Sequence, residues 1–94
     1  MDTRETYIRA RRPLFWSVAE TNLGLVSDEL LVETILNYGS LEDVRGLIAM
    51  LGLGQTAAVF RRTALDRARH NYFPQTANFF KLYFDRHAPA DFVR

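Results

Sequence analysis

Apolar positions along this chain recur at three- and four-residue spacings, and no stretch alternates apolar and polar residues long enough to make a strand. The pattern predicts an all-α fold, a compact single-domain bundle of about five short helices. Its clearest stripe is Val44, Leu47, Ile48 and Leu51, at i, i+3, i+4 and i+7 of a helix from Leu41 to Leu51. Before it, Leu31, Ile35 and Tyr38, widened by Val32 and Leu36, share one side of a helix that Ser27 caps. Asp28 and Glu29 fall in its first turn, where the helix dipole favours acids. Gly39 closes this helix, and without a Cβ it is expected in the left-handed region. Ser40 then opens the next helix: its hydroxyl can accept the Asp43 N–H while the Asp43 carboxylate sits in the positive first turn, an acidic capping box.

Proline and glycine set the remaining boundaries. A first helix covers Thr3 to Arg11 and breaks at Arg12-Pro13, because a residue before proline is pushed out of the α region. Pro13 opens a short turn holding Leu14, Phe15 and Trp16, and Asn22 to Gly24 reads as a loop. Gly52 and Gly54 end the third helix. A fourth starts near Gln55, with Ala57, Phe60, Ala64 and Ala68 on one side. Phe73-Pro74 forces another break, and Pro74 suits the first position of a last helix running to about Arg86. The chain thus divides into an N-terminal helix (1–12), a core (13–87) and a tail (88–94).

Composition narrows the chemistry. Ninety-four residues make one domain with a modest core, and with no cysteine there is no disulfide, thiolate metal site or thiol nucleophile. His70 and His87 lie in separate segments without ligand spacing, Glu42 and Asp43 are explained by capping, and Gly52-Leu53-Gly54 lacks the rest of a phosphate loop. The expectation is a protein that is not an enzyme, with no catalytic residues, no metal and no cofactor. The longest apolar run, Gly46 to Leu53, is far short of the roughly 20 residues that span a bilayer, and no apolar segment of signal-peptide type opens the chain. A soluble, cytoplasmic protein without membrane contact is expected.

The net charge is +1, but its distribution is uneven: residues 1–12 carry four Arg against two acids, residues 13–43 six acids and no base, and residues 44–70 five Arg against Asp66. The Tyr38-Gly39-Ser40 junction superficially resembles a helix-turn-helix, yet its second helix would present Glu42 and Asp43 to phosphate. The better nucleic-acid surface is Arg61, Arg62, Arg67, Arg69 and His70, set against the ordinary alternative that such arginines are solvated or paired.

Aromatics point elsewhere. Phe79, Phe80, Tyr83 and Phe84, with Leu82, surround most of the last helix, so one core-facing stripe cannot bury them all. Phe15, Trp16, Tyr72 and Phe73 add to this excess, and aromatics are enriched at the centres of interfaces, although a small core also uses them for their area. The candidate partner-binding set is Phe15, Trp16, Tyr72, Phe73, Phe79, Phe80 and Tyr83.

Three motifs occur in order: Leu14-Phe15-Trp16, Ile35-Leu36-Asn37-Tyr38-Gly39-Ser40-Leu41-Glu42-Asp43, and Pro74-Gln75-Thr76-Ala77-Asn78-Phe79-Phe80. Through them, over about residues 14–84, the chain resembles a family of small bacterial all-α proteins that look like the antitoxin partners of AbiEii-type nucleotidyltransferase toxins. The resemblance implies an antitoxin-like regulator that binds and neutralises such a toxin. On that implication, the acidic segment Glu29 to Asp43 could alternatively cover a positively charged nucleotide pocket. The other reading is a DNA-binding regulator, and homo-oligomers fit either one.

Overall fold

The computed structural model describes residues 3–65 and 71–89. Five α-helices account for most of them: α1 (Thr3–Arg9), α2 (Asp28–Tyr38), α3 (Leu41–Leu51), α4 (Leu53–Phe60) and α5 (Pro74–His87). The expected all-α bundle is what the chain adopts, with no strand among the described residues.

Two caps appear where the sequence places them. Ser27 Oγ accepts the Leu30 N–H at 3.2 Å and opens α2. Ser40 Oγ accepts the Asp43 N–H at 3.1 Å while Ser40 N–H donates to Asp43 Oδ2 at 2.9 Å, which completes the capping box.

One conformation and three boundaries differ from expectation. Gly39 is not left-handed: its φ is −79° and ψ 163°, an extended conformation open to any residue. What requires glycine there is space, because a Cβ would stand 2.8 Å from the Ile35 carbonyl oxygen and 3.0 Å from Asp43 Cβ. The positive φ belongs to Gly52, at 90°, where α3 ends and α4 begins a single residue later. Gly54 therefore lies inside the first turn of α4 and does not end α3, and α4 starts at Leu53, earlier than expected. Residues Asn22 to Gly24 form part of a 3₁₀ helix over Glu20–Leu25, anchored by the buried Leu23. Finally, α1 stops at Arg9, and Pro13 opens a 3₁₀ turn over Arg12–Phe15.

Helices α2, α3 and α4 pack on one another, and α1 lies across the two 3₁₀ segments. The N-terminal helix belongs to this core, since Ile8 is fully buried and Tyr7 nearly so. Tyr7 Oη donates to the Asp43 carbonyl at 2.6 Å. Arg11 covers the Tyr7 ring at 3.8 Å and donates from Nε to Asp43 Oδ1 at 2.8 Å. Burial is the main cause that pushes the Tyr7 phenol up to about 12.

Past Phe60, α4 widens into a π-turn over Arg61–Leu65. Inside it the buried Thr63 hydroxyl donates to the Val59 carbonyl at 2.8 Å and shares a 2.9 Å hydrogen bond with Tyr72 Oη. Helix α5 joins the bundle through its rings. Phe60 meets Tyr72, Phe84 and Phe80 at centroid distances of 5.3, 5.4 and 6.4 Å.

The Asp43 carboxyl is held below its usual range, first by the Ser40 N–H and then by Arg11. A carboxylate depressed on folding adds stability that is full above its unfolded pKa and is lost as pH falls through the folded value. The gap in Tm between the parent and Asp43→Asn should therefore be widest near neutrality and should close below about pH 4. A gap of constant width from pH 7 to pH 3 would show that the charge of Asp43 contributes nothing.

Candidate protein-docking face

The C-terminal end of α2 sits beside the start of α5 because Asn37 clamps the segment between them. Its side-chain N–H donates to the Asn71 carbonyl at 2.9 Å and its Oδ1 accepts the Phe73 N–H at 3.1 Å. Phe73 takes the extended conformation demanded before Pro74, and its ring meets Tyr38 edge-on at 5.3 Å.

Two concavities lie near this junction. One, an open groove of about 320 Å³, has Leu36, Leu41, Val44, Phe79 and Phe80 as its apolar lining and Ser40, Gln75 and Thr76 as polar atoms. The other, of about 150 Å³, is lined by Pro13, Leu14, Trp16 and Tyr38. Large apolar side chains remain in water around them: Trp16 is 82% exposed, Leu41 65%, Tyr38 60%, Phe79 56% and Phe73 44%. Leu41 and Phe79 line the first concavity, Trp16 and Tyr38 the second, and Phe73 joins the second through its contact with Tyr38.

The aromatic candidates from the sequence divide cleanly. Trp16, Phe73 and Phe79 stay exposed, in or beside one of the two concavities. Phe15 and Tyr72 are core residues, and Phe80 is buried while also lining the groove. Tyr83 is half-buried, between Phe79 at 6.2 Å and His87 at 4.5 Å. Tyr38, Leu41 and the Asn37 clamp were not singled out as interface residues from the sequence. Their signal was weak, because Tyr38 reads as part of the α2 stripe and Leu41 as the first residue of a helix.

The described arginines of the proposed nucleic-acid surface are engaged within the chain. Arg61 donates to the Phe84 carbonyl at 3.0 Å and stands 3.6 Å from Asp85, and Arg62 pairs with Glu29 at 2.9 Å. Arg67, Arg69 and His70 lie outside the described residues, as do Asp66, Ala68 and the tail from residue 90. The basic start of the chain is matched in the same way, with Arg4 on Asp28, Arg9 on Glu20 and Arg11 on Asp43.

Among the described residues no group of three or more His, Cys, Asp or Glu stands close enough to hold a metal ion, and no helix is long and apolar enough to cross a membrane. No family model, curated protein or solved structure matches the chain.

Proposed function

We propose that the chain is a non-catalytic interaction protein, an antitoxin-like regulator that binds and neutralises a nucleotidyltransferase-type toxin. The observation that carries the docking part is the exposure of Trp16, Tyr38, Leu41, Phe73 and Phe79 in and beside the two concavities. Apolar surface left in contiguous patches around a groove marks a place where another molecule excludes water. The three-motif resemblance alone supplies the identity of the toxin, and all three motifs contribute residues to the linings of the two concavities.

The test is co-expression with the product of the adjoining gene. A complex that survives size-exclusion chromatography is expected, together with relief of the toxin's growth arrest, and Phe79→Asp should abolish both. A chain that elutes alone at every mixing ratio removes the proposal. The DNA-binding alternative would draw on Arg61, Arg62, Arg67, Arg69 and His70, and its mark would be promoter affinity that falls steeply with salt.

A further inference from the structure

We propose that the smaller concavity, between the Pro13 turn and the C-terminal end of α2, binds a proline-rich segment of the protein partner in the polyproline II conformation. The inference rests on the docking reading and goes beyond it by naming the chemistry that one of the two concavities takes.

The Pro13 turn fixes the site from one side. Phe15 is buried, and Arg12 donates to the Phe15 and Val18 carbonyls at 2.5 and 2.7 Å, so the backbone on both sides of Trp16 is tied down while its ring stays 82% exposed. From the other side Tyr38, the last residue of α2, is braced edge-on by Phe73 at 5.3 Å. Pro13, Leu14, Trp16 and Tyr38 line about 150 Å³ between them, half the roughly 300 Å³ at which pockets for drug-sized ligands begin. Such a site takes a short stretch of chain.

Hydrogen bonding selects the occupant. The side-chain polar groups of this lining are the Trp16 indole N–H and the Tyr38 phenol O–H, and neither has a partner among the described residues. A purely apolar occupant would cover these donors and leave them unpaired, which is costly. A helix keeps its carbonyls for its own backbone bonds, and a charged segment would find no counter-charge in the lining. A polyproline II segment has no internal hydrogen bonds, so its carbonyls are free to accept, and proline adds no N–H that would need an acceptor. Its shape is formed before binding, and aromatic side chains are the surface on which such segments dock.

The probe is a blocked ten-residue polyproline peptide titrated into the purified full chain, read by calorimetry and by the emission of Trp16, the sole tryptophan. Saturable binding with a blue shift of that emission is expected, and a glycine-serine peptide of the same length should give neither. Tyr38→Phe keeps the ring and removes the donor, and it should weaken binding about two- to tenfold. Trp16→Ala, followed by calorimetry, should weaken it at least about tenfold. Both positions are exposed, so the helical circular dichroism of each variant should match the parent.

No saturable binding at millimolar peptide overturns the proposal. So does binding that Trp16→Ala or Tyr38→Phe leaves intact, or equal binding of the glycine-serine peptide. Because no toxin is present in the titration, the two readings fail separately: a chain that captures the toxin but ignores polyproline refutes only the proline-rich segment, and one that binds polyproline but ignores the toxin refutes only the antitoxin role.

Discussion

Phe60→Ala is expected to cost about 3–5 kcal/mol, a large share of the about 5–14 kcal/mol that a domain of this size holds in total. The ring is fully buried, and it is the point at which Tyr72, Phe80 and Phe84 meet α4. Its removal leaves a cavity and also strips α5 of its principal anchor. At about 4–8 °C for each kcal/mol, Tm should fall by tens of degrees. Phe60→Leu keeps most of the volume and should lose much less. A Phe60→Ala chain that melts within a few degrees of the parent would mean that the rings do not carry α5.

Gly39→Val is the second large effect, at about 1–3 kcal/mol or on the order of 10 °C in Tm. Replacing glycine removes freedom from the unfolded chain, which by itself stabilises by about 0.4–1 kcal/mol. The clash outweighs this, because the first atom that a new side chain meets is a backbone oxygen 2.8 Å away. That oxygen also accepts the Gly39 N–H at 2.8 Å, so it cannot retreat without loosening the end of α2. Asparagine separates the two explanations for this glycine. It tolerates left-handed φ and would rescue a position that needed one, whereas a steric requirement leaves Gly39→Asn no better than Gly39→Ala. Thermal melts of Gly39→Asn, Gly39→Ala and Gly39→Val check this, and an asparagine variant as stable as the parent would refute the steric account.

Local signals placed most of the fold. The α3 stripe, the Ser27 and Ser40 caps and the Phe73-Pro74 break each depend on residues within a turn of one another, and all three stand where the sequence puts them. Gly39 shows the limit of that reasoning: the sequence says that glycine is needed at the junction, but only the fold brings Ile35 and Asp43 close enough to say why. The 3₁₀ helix at Glu20–Leu25 was hidden because its single buried anchor, Leu23, makes no periodic stripe.

The candidate face was legible in part. An excess of rings on the last helix predicted that some stay outside, and Phe79 does. Which rings stay outside depends on long-range packing: Phe15 and Tyr72 look no different from Trp16 and Phe73 in the sequence, yet they are core residues. The charge pattern carried a message of the same kind. Arginines near the start and acids in the middle looked like separate blocks, and the fold sets them against each other as Arg4–Asp28, Arg9–Glu20 and Arg11–Asp43.

These pairings bear on the order of assembly. Every partner of Arg4, Arg9 and Arg11 named above lies at or before residue 43, so these pairs join segments made early in translation. Phe60 has to wait for Phe84, which at roughly 5–20 residues per second arrives a second or more later. During that interval the nascent chain exposes an oily socket, and the closing helix acts as the plug that ends its vulnerability to chaperones and proteases.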